Sequence, residues 1–257
     1  MRKCRIAMDC GTYLPGSADL NADTMANSIE AAKDAGCGLI CFPEACLSGY
    51  SSSEISPFDD DDPIIGRIAS MSDGIAICFG LFSVSSDRTY IEQRIYEDGV
   101  LRGTYRKTHL GMNETPFSAG DSLPVIDTRI ARIGIQLCWE LHFPGMTASY
   151  RTGGAELILN PFASPITGDR RLASWKRLIP ARSDDNRIFF AACNSDGMSV
   201  FCTGPDGSEI MPERISEHLY AYSLDPARME RYRYGEETMG NIDYPKHFRD
   251  DLYTERL

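Results

Sequence analysis

The stretch IGIQLCWELHFPGMTASYRTGGAELILN, Ile133 to Asn160, contains a pattern of strand, helix and strand. The apolar run at 131–137 predicts a strand, residues 145–154 predict a short helix that ends in two glycines, and residues 156–160 predict a second strand. Two strands joined through a helix run parallel when they share a sheet. The stretch therefore predicts an α/β fold and places Cys138 just beyond the end of a strand.

The rest of the chain alternates between strands and helices in the same way. Residues 4–10 and 38–42 predict strands on either side of a helix over 20–36, in which Met25, Ile29 and Ala32 have helical spacing. Further predicted elements are strands at 75–84, 90–96, 100–105, 187–193, 198–204 and 218–224 and a helix at 172–186. Because no repeat or long linker interrupts this order, we expect one domain over 1–257, with residues from about 235 to 257 as an extended arm.

The charge balance excludes some classes of partner. The 257 residues include 37 acidic and 26 basic side chains, a net charge of −11, so we expect neither nucleic acid nor a membrane surface as a partner. The apolar run 75–84 has about half the length of a membrane-spanning helix. The first eleven residues lack the apolar core of a signal peptide, which favours a cytoplasmic protein.

The cysteines and the acidic loop indicate no metal site. Nine cysteines are an odd number in a chain large enough to fold without disulfides. Cys37, Cys41 and Cys46 do not have the spacing of a structural zinc site. The segment FDDDDP, Phe58 to Pro63, lacks the spaced ligands of a calcium loop and is expected to be a surface loop. We therefore predict no metal site.

Three reactive side chains follow the ends of predicted strands: Glu44, Lys107 and Cys138. If these strands run in one direction, their carboxyl ends share an edge, where α/β proteins usually gather ligand-binding groups. A cysteine with an ordinary pKa is only about 3% thiolate at pH 7 and needs help to attack. Glu44 could take its proton and Lys107 could stabilise the developing oxyanion. Polar groups at strand ends and buried cysteines are also often purely structural, and the spacing alone does not decide between these interpretations.

A family resemblance favours the catalytic interpretation. The segments FPEACLSGY (42–50), YRKTHL (105–110) and CWELHFP (138–144) resemble, in the same order, the signature segments of the nitrilase superfamily of carbon-nitrogen hydrolases. The flanking segments extend the resemblance over nearly the whole chain, up to the closing DLY at 251–253. It implies a four-layer α-β-β-α sandwich, no cofactor, and association into a homodimer or a higher homo-oligomer.

The resemblance also implies roles for individual residues. Glu44 is expected to be the general base, Lys107 the cation that stabilises the oxyanion, and Cys138 the nucleophile that forms a thioester. Glu114 matches an additional glutamate of the family, and the backbone N–H of Trp139 is expected to bind the oxyanion.

The substrate-binding wall is less well defined by the sequence. Glu140, His142 and Phe162 are candidate substrate contacts, although each is equally consistent with packing or surface exposure. A papain-like pair of Cys138 with His109 or His142 is the rival arrangement, but no papain-like sequence surrounds the cysteine.

The predicted activity is release of ammonia from a small carboxamide or N-carbamoyl amine through a thioester. Hydrolysis of a nitrile is an alternative, because CWE at 138–140 is similar to true nitrilases, and acyl transfer to an amine is another. Gly145 and Asp185 replace glutamates that are usual in the small hydrolases, which leaves the substrate class open. A protein that uses the same fold only to bind a small ligand is the alternative from a different class.

Overall fold

Two β-sheets lie face to face in the computed structural model, which describes residues 1, 3–249 and 251. The strands are β1 (Cys4–Asp9), β2 (Leu39–Cys41), β3 (Ala76–Ser85), β4 (Arg88–Glu97), β5 (Val100–Arg106), β6 (Ile126–Asp127), β7 (Arg132–Ile135), β8 (Leu157–Phe162), β9 (Phe189–Asn194), β10 (Val200–Thr203), β11 (Glu213–Arg214) and β12 (Leu219–Leu224). The first sheet has the order β11-β12-β1-β2-β3-β4-β5, and the second has the order β10-β9-β8-β7-β6.

Helices cover the outer face of each sheet. They are α1 (Ala18–Asp34), α2 (Pro63–Ser70), α3 (Pro144–Thr152), α4 (Gly168–Asn186) and α5 (Pro226–Tyr234), with short 3-10 helices at Cys138–His142 and Tyr244–His247. Helices α1 and α2 lie next to each other, and so do α3 and α4. None of the helices in the described part of the chain is long and apolar enough to cross a membrane.

The alternation of side chains along β1 shows how the layers form. Ile6 and Met8 point into the core between the sheets, whereas Ala7 packs in a second core with Met25 and Ile29 of α1. Residues along a strand point to opposite faces in turn, so a strand buried on both faces is apolar throughout. This arrangement of helix, sheet, sheet and helix confirms the predicted four-layer α-β-β-α sandwich.

The predicted unit of strand, helix and strand around Cys138 is present in the structure. Strands β7 and β8 are parallel, with Ile133 opposite Leu157, and α3 connects them. Gly134 of β7 leaves room for the ring of Tyr150 on α3, since a Cβ atom there would lie 2.6 Å from that ring. The hydroxyl of Tyr150 donates to the carbonyl of Ile135 at 2.6 Å, which fixes the helix on the sheet.

The prediction that the three reactive side chains share one sheet edge is wrong. Strands β2 and β5 belong to the first sheet and run in the same direction, because β3 is parallel to β2 and antiparallel pairings lead from it to β4 and β5. Strand β7 belongs to the second sheet. Glu44 and Lys107 therefore approach from one sheet and Cys138 from the other.

Two short helices were not predicted. Helix α2 begins directly after the acidic loop, where the side chain of Asp62 accepts a hydrogen bond from the N–H of Ile64 at 3.0 Å. Helix α5 begins in the same way, with Asp225 accepting from the N–H of Ala227 at 3.1 Å. In both helices a capping aspartate precedes a proline in the first turn. At eight and nine residues they are too short to show a clear apolar period.

The described part of the expected arm lies against its own chain. It includes the 3-10 helix Tyr244–His247, and Asp243 forms an ion pair with Arg151 at 3.0 Å. The backbone carbonyl of Ile242 accepts a hydrogen bond from Arg187 at 2.7 Å. Residues 250 and 252–257 of this arm, with most of the DLY segment, are outside the described residues.

Candidate active site

A cavity of about 570 Å³ brings together side chains from both sheets. It is lined by Thr12, Tyr13, Tyr50, Ser52, Lys107, Gly111, Met112, Asn113, Glu114, Cys138, Trp139, Ala163, Ser164, Pro165 and Ser195. Four of the predicted site residues are therefore in the lining: Lys107, Glu114, Cys138 and Trp139. Glu44 lies directly behind Lys107 and is bonded to it.

Lys107 is held between two carboxylates. Its ammonium donates to Oε1 of Glu44 at 2.7 Å and to Oε1 of Glu114 at 2.6 Å, and its side chain is 1% exposed. Burial lowers the pKa of Lys107, but the negative charges around it, first that of Glu44, outweigh burial and raise the pKa above its ordinary value. The cation therefore persists at every physiological pH.

Glu44 is buried on the turn that follows β2. Its second oxygen accepts from the backbone N–H of Ala163 at 3.2 Å. Burial raises the pKa of the Glu44 carboxyl, the charge of Glu114 adds to this effect, and the ammonium of Lys107 opposes it without cancelling it. A carboxylate with a raised pKa is a stronger base than an ordinary glutamate.

Close backbone packing positions this turn. Ala45, directly after Glu44, has a φ of +50°, which is uncommon for a residue with a side chain. The turn rests on Gly80 of β3, whose carbonyl accepts from the N–H of Leu47 at 2.9 Å. A Cβ atom at Gly80 would lie 2.3 Å from the nitrogen of Ala45. Only glycine leaves enough space for the turn that carries Glu44.

Cys138 begins the 3-10 helix that follows β7, and its φ of +51° is strained for a residue with a side chain. The amide nitrogen of Asn160 donates to the carbonyls of Gln136, at 2.7 Å, and Cys138, at 3.4 Å, and so holds this bend. Burial, and then the charge of Glu44, raise the pKa of the Cys138 thiol to about 12, although Lys107 lowers it. The thiol is therefore protonated at neutral pH.

Glu114 connects Lys107 to the wall of the cavity. The hydroxyl of Tyr50 donates to Oε1 of Glu114 at 2.6 Å, and the N–H of Gly111 donates to Oε2 at 2.5 Å. These donors hold the carboxylate in the orientation in which it contacts the ammonium. Tyr50 is a site residue that sequence reasoning missed, although it closes the FPEACLSGY segment.

Trp139 forms part of the mouth of the cavity. Its side chain is partly exposed, and its indole N–H donates to the carbonyl of His109 at 2.7 Å. The ring of His109 stacks on Phe143 with 4.2 Å between centroids, and Trp139 meets Phe143 edge-on. His109 is therefore part of an aromatic group beside the cavity and is not among the residues that line it.

The remaining predicted contacts lie outside the lining. Glu140 is fully buried, and its carboxylate accepts from the backbone N–H groups of Leu137 at 2.7 Å and Thr108 at 3.0 Å. Phe162 is 2% exposed and packs edge-on against Trp175. His142 is exposed on the surface. Of the four predicted substrate and oxyanion contacts, the structure places only Trp139 at the cavity.

Seven of the eight other cysteines differ from Cys138 in their burial. All nine thiols are free, and seven of them are buried; only Cys4 and Cys138 are partly exposed. Among the described residues, no group of three or more histidine, cysteine or acidic side chains could hold a metal ion.

Comparisons with known proteins agree with this architecture. Residues 8–234 match the family model described as carbon-nitrogen hydrolase. The chain is 28% identical to a chloroplastic omega-amidase of Arabidopsis thaliana in an alignment of 274 positions, which covers 95% of this chain and 72% of that protein. It is 26% identical over 231 residues to a probable nitrilase of Schizosaccharomyces pombe, covering 79% of this chain and 83% of that protein.

Solved structures show the same fold. A variant of the amidase from Nesterenkonia sp. AN1, in complex with butyramide, superposes with a TM-score of 0.78 at 24% identity, covering 98% of this chain and 96% of that one. Saccharomyces cerevisiae Nit3, of the nitrilase superfamily, superposes with a TM-score of 0.80 at 21% identity, covering 90% and 93%. From the family match over most of its length, the chain belongs to the carbon-nitrogen hydrolase family of the nitrilase superfamily, enzymes that cleave carbon-nitrogen bonds other than peptide bonds.

Proposed function

We propose that the protein is a thiol amidohydrolase that uses Cys138 as its nucleophile, Glu44 as its general base and Lys107 as the cation that stabilises the oxyanion. The observation that carries this proposal is the buried ammonium of Lys107, shared by Glu44 and Glu114 on the wall that also contains Cys138. A buried ion pair of this kind adds little to stability, so a chemical role explains it better than a structural one.

The first half of the reaction forms a thioester. Because the thiol of Cys138 is protonated at neutral pH, Glu44 takes its proton as sulfur attacks the amide carbon. The negative charge on the carbonyl oxygen is stabilised by Lys107 and by the backbone N–H of Trp139. Glu44 then gives its proton to the departing nitrogen, and ammonia leaves.

The second half of the reaction hydrolyses the thioester. Glu44, again a carboxylate, takes a proton from a water molecule as its oxygen attacks the thioester carbon. The oxyanion forms at the same place, and its collapse breaks the carbon-sulfur bond. The acid is released, and the proton held by Glu44 returns to the sulfur of Cys138, so the net reaction is amide plus water to acid plus ammonia.

The substrate that we propose is a small carboxamide or N-carbamoyl amine. The similarity to an omega-amidase and to an amidase that binds butyramide supports an amide. The cavity of about 570 Å³ is large enough for such a molecule, and Trp139 forms part of its opening. Hydrolysis of a nitrile at the same cysteine is a second candidate, which the similarity to a probable nitrilase favours.

The experiment that tests the proposal is ammonia release from a panel of amides, N-carbamoyl amines and nitriles. We expect an amide to be hydrolysed, and intact-mass analysis of a slow substrate to show one acyl group on the protein. Cys138→Ala should lose both signals. Cys4→Ala is the matched control, because Cys4 is the other partly exposed thiol and lies outside the cavity lining. An acyl adduct that persists in Cys138→Ala would refute the assignment, and no turnover of any substrate would favour a ligand-binding protein.

We also propose a homodimer or a higher homo-oligomer, as the family resemblance implies. Light scattering coupled to size-exclusion chromatography measures the mass directly. A mass of 28.5 kDa at micromolar concentration would be that of the single chain and would contradict the proposal.

A further inference from the structure

Asp9 is a buried carboxylate that has no part in the proposed mechanism. It is the last residue of β1, it is 1% exposed, and no cation of the described residues lies within 4.0 Å of its oxygens. A buried charge without a counterion is costly unless hydrogen bonds replace the lost water. The hydrogen bonds of Asp9 therefore indicate what it does.

Three donors surround this carboxylate. Its Oδ1 accepts from the backbone N–H of Gly11 and from the hydroxyl of Tyr13, both at 2.8 Å, and its Oδ2 accepts from the hydroxyl of Ser28 at 2.7 Å. Burial raises the pKa of the Asp9 carboxyl, and these three hydrogen bonds oppose that effect. An ionised carboxylate has two acceptor oxygens, so it can accept from all three donors at once.

The carboxylate joins a helix to one wall of the cavity. Ser28 belongs to α1, whereas Gly11 and Tyr13 belong to the loop that follows β1. Tyr13 lines the cavity, although most of its side chain is buried. Asp9 therefore fixes this loop, and the ring of Tyr13 with it, against α1.

The same loop is also held from the second sheet. The hydroxyl of Ser195, directly after β9, donates to the carbonyl of Gly11 at 3.1 Å. The N–H of Gly197 donates to the carbonyl of Cys10 at 2.6 Å. Both backbone groups of Gly11 are thus bonded, the N–H to Asp9 and the carbonyl to Ser195. The loop that carries Tyr13 is therefore tied to both sheets.

The ring of Tyr13 is held at both ends. Its hydroxyl proton is bonded to Asp9, and its ring packs edge-on against Phe42 with 6.3 Å between centroids. Because the proton already has an acceptor, Tyr13 presents its ring to a bound molecule. An aromatic ring is a large apolar surface on which an alkyl chain can pack.

We infer that Asp9 is a positioning residue that holds the ring of Tyr13 in place, and that the acyl chain of an extended amide packs on this ring. The inference rests on the amidohydrolase function proposed above. Tyr13 contacts the substrate, whereas Asp9 acts only through Tyr13. A displaced ring should therefore weaken the binding of long acyl chains and have little effect on the shortest amide.

Acetamide and hexanamide test the inference, because the acyl chain of hexanamide can reach the ring whereas that of acetamide ends beside the carbonyl carbon. In Asp9→Ala the ratio of kcat/KM for hexanamide to that for acetamide should fall at least about tenfold, which corresponds to about 1.4 kcal/mol. The fall should come mainly from a higher KM for hexanamide. Asp9→Asn retains an acceptor oxygen for Gly11 and Tyr13, so the ratio should stay within about twofold of wild type.

Two further variants separate positioning from a loss of stability. Tyr13→Phe keeps the ring but removes its bond to Asp9, so the ratio should fall at least about threefold, and adding it to Asp9→Ala should cause no further fall. Glu97→Ala is the matched control. Glu97 is an equally buried carboxylate that accepts from the backbone N–H of Arg129 at 3.1 Å, but it is outside the cavity lining. Its ratio should stay within about twofold of wild type.

Three results would overturn the inference: a wild-type enzyme that hydrolyses acetamide but not hexanamide, an Asp9→Ala variant that loses the same factor on both amides, or a wild-type ratio in Tyr13→Phe. The Tyr13→Phe variant leaves Asp9 in place and so decides the question even if Asp9→Ala does not fold. In each case acetamide hydrolysis continues and the proposed function stands. Failure of the proposed function looks different, since neither amide would then release ammonia, or Cys138→Ala would retain the activity.

Discussion

The carboxylate of Glu140 accepts a hydrogen bond from the backbone N–H of Thr108 at 3.0 Å, and so joins the segment after Lys107 to the helix that begins at Cys138. The same carboxylate accepts from Leu137 at 2.7 Å and from the hydroxyl of Tyr105 at 2.8 Å. Because Lys107 and Cys138 belong to different sheets, this buried group helps to set the separation between them.

Replacing Glu140 should impair catalysis although its side chain is outside the cavity lining. Glu140→Gln loses one acceptor oxygen among several buried donors, which costs about 1–3 kcal/mol in the free energy of unfolding. We expect kcat to fall at least about tenfold with a smaller change in KM, because misplacement of the reacting groups affects the transition state most. Steady-state kinetics and urea denaturation measure the two effects. Glu230→Gln, at an exposed position, is the control, and unchanged kcat in Glu140→Gln would contradict the positioning role.

The pH profile should report the environment of Glu44. Its pKa is raised, so as the pH falls through that value the proposed base becomes protonated and kcat/KM decreases. The acid limb should therefore lie above the ordinary glutamate value of about 4.3. No alkaline limb is expected in the range where ordinary thiols ionise, because the pKa of Cys138 is about 12 and that of Lys107 is also raised. An acid limb at or below the ordinary glutamate value would exclude Glu44 as its source.

Alkylation and hydrolysis should respond in opposite directions to Glu44→Gln. The negative charge of Glu44 raises the pKa of the Cys138 thiol, so its removal should lower that pKa and increase the thiolate fraction. Iodoacetamide should then label Cys138 faster than in wild type at pH 8, whereas amide hydrolysis should fall by at least about a hundredfold without its base. Peptide mass mapping identifies the labelled cysteine. Slower labelling together with lost hydrolysis would indicate a disturbed site instead of a missing base.

Lys107→Met should remove activity and make stability depend on pH. Loss of the cation should lower kcat by about 10²–10³, and two buried carboxylates then face each other without a counterion. Lys107 lowers the pKa of Glu44, so in the variant that pKa rises further above its unfolded value. Stability is then greatest at acid pH and is lost as the pH rises through the folded-state pKa. Melting curves at pH 5 and pH 8 should show a larger deficit from wild type at pH 8, and an equal deficit would contradict the assigned charges.

Gly80→Ala should disturb the turn that carries Glu44. The added Cβ would lie 2.3 Å from the nitrogen of Ala45 and 2.5 Å from Oε1 of Gln93, so the turn or the strand must move. Overpacking of this kind costs about 1–3 kcal/mol of stability, and we expect kcat to fall as well. Gly66→Ala in α2 is the matched control, since a Cβ there has no neighbour within 4 Å and should stabilise the helix slightly. Wild-type kcat in Gly80→Ala would show that the turn can adjust.

The sequence allowed most of the elements to be predicted, and the family resemblance implied the layers, but neither indicated how the site is divided between the two sheets. The apolar periods at Met25, Ile29 and Ala32 and along 131–137 are local signals, and the corresponding helix and strand formed. Which sheet a strand joins depends on pairing between residues distant in the sequence. The residues at the end of a strand do not indicate which sheet that will be. The expected single edge for Glu44, Lys107 and Cys138 was wrong for this reason.

The side chains of the cavity wall could be predicted only in part. Lys107, Glu114 and Cys138 lie on one cavity, in agreement with the motif-based expectation, while their catalytic roles remain proposals. Glu140 and Phe162 looked equally suitable for substrate contact, because burial depends on the direction of a side chain in the finished fold.

The position of Lys107 in the first sheet and Cys138 in the second has a consequence for folding. A partly folded chain that has built only one sheet contains either the proposed base and cation or the proposed nucleophile. On the proposed mechanism we expect activity only when the apolar faces of the two sheets meet and exclude water. The rate of turnover therefore reports whether the two sheets are packed together. Hydrostatic pressure favours hydration of the interface between them, so it should abolish activity before the strands unfold.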